Sequence, residues 1–259
     1  MTTRPALAHV TTIAFALFVG SAQAQGKPGL KPLDDAELSG VYGQALLDLV
    51  NTTQGGYDFS RITLNADITM STTLSGLKLG THADGTSDID ISKLNFGRSD
   101  LDDAHRTVAI TNPYFEWVYS GTPAAGDRQV VGMRVGFGGI TGDVGLMMNS
   151  VSGALTLTNP ANGQLLSALG SQSTALTGCS GSCNVALNQV GGVTAGTTDG
   201  ASRDFFLSIL KAALTYPTTN TAVGAPAASQ AGFWLNWTDR LNAINTTGTT
   251  PPNVPKIGP

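Results

Sequence analysis

The chain is poor in charge. Asp, Glu, Lys and Arg make up 12% of its 259 residues, the net charge is −4, and no Lys/Arg cluster occurs. Nucleic acid is excluded as a partner, because phosphate binding needs a basic footprint. Histidine is scarcer, with three in the chain. Nucleophilic hydrolysis wants an activated serine with a His base, and no G-x-S-x-G elbow is present. The glycine-rich stretches lack the Lys-Ser/Thr that follows a phosphate loop. The expectation is a protein that is not an enzyme. A motif-less hydrolase stays open as an alternative, since two carboxylates about 5–9 Å apart cleave glycosides without any local signature.

Cysteine is almost absent. Cys179 and Cys183 are the only two, too few for a four-ligand zinc site beside the distant His82 and His105. Their C-x-x-x-C spacing differs from the C-x-x-C of redox pairs. The reading is a structural disulfide closing a Gly/Ser turn in an oxidising compartment. A loop this short contributes about 2 kcal/mol.

Long apolar runs are missing as well. The longest, Ile13 to Val19, falls short of the about 20 residues that cross a bilayer. It follows Arg4 and precedes Ala22-Gln23-Ala24, the order of a secretory signal peptide over residues 1–24. Cleavage is expected between Ala24 and Gln25, with 25–33 as a flexible exit. No transmembrane segment is expected after signal removal. The closing Pro-Pro-Asn-Val-Pro-Lys-Ile-Gly-Pro run does not suit the last strand of an outer-membrane barrel. The expected location is therefore the periplasm, the cell surface or the medium.

What the chain does have is hydrophobic content of 41% and 32 glycines. That is enough to build a core, with Thr and Val for strands and Gly for turns. Residues 34–244 read as a single β-rich domain with a candidate subdivision near 160–200, and 245–259 as a disordered tail. Asp34 and Glu37 suggest a helix start. Leu38, Val41, Tyr42, Ala45, Leu46 and Leu49 then form a stripe, predicting a short helix over 34–50.

Ile62, Leu64, Ala66, Ile68 and Met70 alternate with polar residues as one half-buried strand. Ile89 and Ile91 belong to a second strand running toward Phe96. A third opens at Val108 and resumes after Pro113. Over 130–157 the alternation is clearest. Gly138-Gly139 reads as a hairpin turn and Asn149-Ser150 as another, giving three strands of an antiparallel meander. Residues 203–214 read as a helix stopped by Pro217. Residues 233–244 fit a helix or a strand equally. The predicted class is mainly β, a meander or sandwich-like sheet with a short N-terminal helix and one or two C-terminal helices.

Three groups stand out as candidate sites. Asp84, Asp88 and Asp90 offer alternating oxygen ligands beside Gly85, the chemistry calcium takes. Their ordinary role would be a solvated acidic loop, and no other cofactor is expected. Tyr114, Trp117 and Tyr119 could stack on a ligand, although one face of such a run normally belongs to the core. Cys179 and Cys183 complete the set.

The run Leu33 to Leu47 (Leu-Asp-Asp-Ala-Glu-Leu-Ser-Gly-Val-Tyr-Gly-Gln-Ala-Leu-Leu) resembles the opening of a family of poorly characterised exported proteins. They belong to pseudomonads and related Gram-negative bacteria, and some carry pilus-system or surface-protein labels. The likeness continues through Ile62–Met70, Asp88–Ser92, Thr111–Pro113 and Val130–Val135, and covers the first half. It implies an envelope location and a structural or adhesive role, with envelope or pilus proteins as partners. The expected function is a non-catalytic, exported envelope or surface protein, associated with a pilus or adhesive. The alternative is a periplasmic binding module holding a small apolar or sugar ligand.

Overall fold

The computed structural model describes residues 46–121, 126–178, 184–217 and 228–254. The signal peptide, the flexible exit, the Cys179/Cys183 pair, most of the 34–50 helix and residues 255–259 lie outside them. Among the described residues the secondary structure is strand, apart from two short 3-10 turns. No helix among them is long and apolar enough to cross a membrane, a statement that does not touch strands.

Strands β1 (Leu47–Gln54) and β2 (Tyr57–Leu64) form a hairpin. Gln54 pairs with Tyr57, leaving a two-residue loop of Gly55 and Gly56. Both glycines sit at positive φ, 60° and 81°. A two-residue type I′ loop demands this, since its twist matches that of the strands. The strand therefore begins at Leu47, inside the predicted helix. Leu46 and Leu49 fit a helical stripe, yet the Gly-Gly turn and the partner β2 hold this segment extended.

The single strand expected over Ile62–Met70 is two. β2 ends at Leu64 and β3 (Asp67–Met70) resumes after Asn65-Ala66. Both pair with β6 (Val108–Ser120). Opposite the gap, Asn112 takes a left-handed φ of 49° and donates its N–H to Ala66 O. Pro113, which has no N–H to give, sits next to that irregularity. β4 (Thr72–Thr81), absent from the sequence reading, pairs with β5 (Ser87–Phe96), which was expected.

The meander predicted over 130–157 is one strand, β7 (Gln129–Thr158), thirty residues long. Gly138 and Gly139 keep ordinary strand dihedrals, so no primed turn forms there. Their lack of a side chain serves another purpose. A Cβ at Gly138 would come 2.9 Å from Asn112 Cβ, and one at Gly139 would meet Thr111 Oγ1 at 2.7 Å. The glycines let the irregular part of β6 lie close. Ser150 likewise stays within the strand, paired with Asp90, with only a register shift at Asn149.

The 203–214 helix is also replaced. β12 (Phe206–Leu210) lies between β7 and β13 (Gly232–Trp237), with Phe206, Ser208 and Leu210 buried. Apart from Ser208 this segment is apolar on its buried side (Phe206, Leu210) and on its other side (Leu207, Ile209) alike, so it reads as a continuous apolar run, which periodicity does not separate from a helix. Residues 233–244 take the strand alternative, as β13 and β14 (Leu241–Asn245).

β7 organises the sheet. Its residues 132–136 pair with β12, β12 pairs with β13, and β13 returns to β7 in parallel at 153–155. The sheet thus curls back onto the same strand, antiparallel except for that contact and one between β14 and Thr158. Further along, β8 (Leu165–Ser173), β9 (Ala175–Thr177), β10 (Asn184–Ala186) and β11 (Gly192–Ala195) extend the pairing. The curl encloses a large aliphatic core around Ile89, Val144, Leu155 and Val193, and a smaller aromatic one around Phe59, Tyr216 and Trp234.

The tail expected to be disordered is strapped down as far as it is described. Asn95 Nδ2 donates to Pro251 O at 2.7 Å and Asn253 Nδ2 to Phe96 O at 2.6 Å. These amides tie residues 251–253 to β5 through backbone carbonyls at 251 and 96.

Candidate functional site

Four groups of side chains are candidates, and the first is hidden. Arg61, Glu116, Arg134, Ser208 and Trp234 stand directly opposite one another across β2, β6, β7, β12 and β13. Glu116 is 2% exposed and Arg134 4%. Arg134 Nε donates to Glu116 Oε1 at 2.6 Å and Arg61 Nε to Oε2 at 2.8 Å. Arg134 lies 3.8 Å from the Tyr216 ring centre and 4.9 Å from that of Phe206. Its Nη2 has no hydrogen-bond partner, so aromatic faces supply the remaining stabilisation of the cation. Gly136 makes room, because a Cβ there would come 2.5 Å from the Tyr114 hydroxyl.

The three aromatic candidates do not form one platform. Tyr114 is covered by Arg61, 4.2 Å from its centre, and burial raises its hydroxyl pKa. Trp117 points to the opposite face and packs edge-on against Phe115 at 4.1 Å. Tyr119 lies under Arg128 at 4.0 Å. Each ring already has a partner within the protein.

The three carboxylates proposed for calcium also separate. Asp84 accepts from Thr86 N–H and Oγ1, which lower its pKa. Asp90 accepts from Lys78 Nζ at 3.1 Å and Asn149 Nδ2 at 3.2 Å. Asp88 is buried, 3.0 Å from His82 Nε2 and accepting from Phe233 N–H at 3.0 Å, which ties β5 to β13. Among the described residues no group of three His, Cys, Asp or Glu could hold a metal ion. Ser152 Oγ is 3.4 Å from Asp88. A Ser-His-Asp triad needs the imidazole in the middle. Here the carboxylate holds that position.

The fourth place is the outer face. At the centre of β6 and β7 one side holds Tyr114, Glu116, Val118, Gly132, Arg134 and Gly136, while Phe115, Trp117, Met133 and Val135 lie on the other; Val131 and Phe137, at either end of the alternation, pack against the two cores. Leu49, Ile62, Phe115, Val135 and Leu207 align across five strands, and Trp117, Met133 and Ile209 form a second row beside them. Leu49 is 64% exposed, Ile209 40% and Val135 38%, whereas Ile62, Phe115, Trp117 and Met133 are half-buried and Leu207 packs against the aliphatic core. The face runs out to β1, whose eight residues are all exposed and which pairs with β2 alone among the described residues. Contiguous apolar patches of this kind mark interaction surfaces.

Sequence reasoning missed both the buried row and this surface. The available signals were Gly55-Gly56 between two extended runs, and Gly132-x-Arg134-x-Gly136 alternating out of phase with the large apolar residues. No family model, no curated protein and no solved structure matches the chain.

Proposed function

We propose that this chain is a non-catalytic, exported envelope or surface protein that works by recognition through its β1 edge and the apolar face beside it. The partner is an extended segment of another envelope polypeptide. A free strand edge presents a row of peptide N–H and C=O groups, and a second backbone satisfies them by strand addition. The observation that carries this is β1 itself. Leu47–Gln54 has one charge, Asp48, and none of the lysines or prolines that guard an edge against pairing. Export is supported by the order of charge, apolar core and cleavage site over residues 1–24. The envelope and pilus association is supported by the resemblance of the first half.

The test is site-specific photo-crosslinking in the native organism. A crosslinking residue at Asn51 on β1 is expected to capture a discrete envelope polypeptide, while one at exposed Leu165 captures none. Protease applied to intact cells should remove the protein if it is displayed outside. Equal labelling at both positions, or none at Asn51, refutes the strand-addition reading.

A further inference from the structure

The sheet has a second open feature, remote in sequence from β1. Asn149 on β7, Thr174 between β8 and β9, Ala175 at the start of β9, Ala186 on β10, and Asn188 and Gln189 in the following 3-10 turn line a pocket of about 520 Å³, with Asn184 at the same wall. Its volume falls within the about 300–1,000 Å³ typical of small-molecule sites, and it is open to solvent, with Asn149, Thr174, Asn184, Asn188 and Gln189 exposed. Backbone bonds build the wall. Ala186 pairs with Ala175, and Leu187 N–H donates to Thr174 O at 2.9 Å.

The lining chemistry is narrow. It contains four carboxamides, one hydroxyl and two methyl side chains, and no charged group. Each carboxamide offers two donors and an acceptor with two lone pairs. Among the described residues, the side chains of Asn184, Asn188 and Gln189 carry no hydrogen bond to another residue. A charged ligand would find no countercharge in this lining. An apolar ligand would strip water from the amides without replacing their bonds, which is unfavourable. A molecule with many neutral hydroxyls meets both conditions, and its C–H face suits the Ala175 and Ala186 methyls.

We infer that this amide-lined pocket binds a neutral saccharide of one or two units. The site is independent of the β1 edge, so a protein can fail one test and pass the other. It also differs in place from the sugar site considered near residues 233–244.

Isothermal titration of the purified full chain against neutral sugars tests it, using glucose, galactose, N-acetylglucosamine and their disaccharides as probes. At least one is expected to bind with Kd near 1 mM or tighter. Asn188→Ala with Gln189→Ala should weaken it about tenfold or more, at an unchanged melting temperature because both side chains are exposed. Asn162→Ala, an exposed amide in the loop between β7 and β8, should leave it unchanged. No binding by any probe, equal binding in the double variant, or tighter binding of an anionic sugar or a neutral peptide overturns the assignment. If the double variant unfolds, Asn184→Ala is read instead by the same criteria.

Discussion

Arg134 and Glu116 face each other across β7 and β6 with their side chains 2.6 Å apart and almost sealed from water. Arg61 shares the same carboxylate. Two buried guanidinium groups therefore depend on one acid. Removing one partner from such a group leaves charge uncompensated in a low dielectric, at a cost of about 3–5 kcal/mol. Glu116→Gln is expected to lower the stability measured by urea unfolding by that order. Arg134→Met should cost clearly less, since Arg61 remains to pair the acid. Equal stability of Glu116→Gln and the parent would show that the row carries no net energetic role.

The β1–β2 turn gives a sharper test of backbone conformation. Gly55 and Gly56 have open space where a Cβ would be, so any penalty comes from positive φ alone. Gly55→Asn should be tolerated, because Asn-Gly suits the same turn. Gly55→Val should cost about 1–2 kcal/mol, the price of a left-handed conformation in a β-branched residue. Chemical denaturation of the two variants separates them. Indistinguishable midpoints would mean that the loop is not a primed turn.

His105 and Asp102 lie 2.6 Å apart at the surface. The hydrogen bond that His105 Nδ1–H donates to Asp102 Oδ1 raises the His105 pKa and lowers the Asp102 pKa. The stabilisation linked to His105 is present below its unfolded pKa of about 6.5 and fades as pH rises through the higher folded value. That linked to Asp102 is present above its unfolded pKa of about 3.9 and fades as pH falls through the lower folded one. The pair is fully charged between those limits. An NMR titration of His105 should show a midpoint that drops in Asp102→Asn. An unmoved midpoint would remove the pair.

Burial raises the pKa of Tyr216, as it does that of Tyr114. A phenol that stays protonated in the fold but ionises near pH 10 in the unfolded chain favours unfolding in alkali. Stability should therefore fall as pH climbs from about 10 toward the folded values. Tyr216→Phe should flatten that decline. Absorbance titration at constant temperature should show these two rings ionising only with unfolding. Early ionisation of all the tyrosines would contradict their burial.

Strand identity was legible where one face alternates and turn residues bound it, as in β5. It failed where local pattern and tertiary pairing disagree. Leu46 and Leu49 sit at helical spacing, but the hairpin with β2 overrides that preference. Gly138-Gly139 has the composition of a turn, yet those glycines admit the irregular stretch of β6. Phe206 to Leu210 carries apolar residues on both sides of the strand, exposed Ile209 included, which erases its period. The candidate sites were less legible still, because register decides them. Nothing local shows that Arg61, Glu116 and Arg134, separated by 55 and 18 positions, stand side by side. The four pocket amides likewise come from β7, β10 and a turn.

The phase of the alternation in β7 carries the last prediction. Val131, Met133, Val135 and Phe137 look like the inward face of a half-buried strand, and Arg134 looks like its solvated side. The fold has this inverted at the centre: Arg134 is buried between Gly132 and Gly136, while Val135 is 38% exposed. A lysine at 135 keeps its ammonium in water and lays its stem along Phe115 and Leu207. Val135→Lys should therefore change stability by about 0.5 kcal/mol or less. Arg134→Val, one residue away, removes a counterion from Glu116 and vacates the space beneath Tyr216, so it should destabilise by several-fold more. The pair of variants measured side by side decides the orientation of the strand. If lysine at 135 unfolds the protein and valine at 134 does not, the apolar face points inward and the recognition surface built on it disappears.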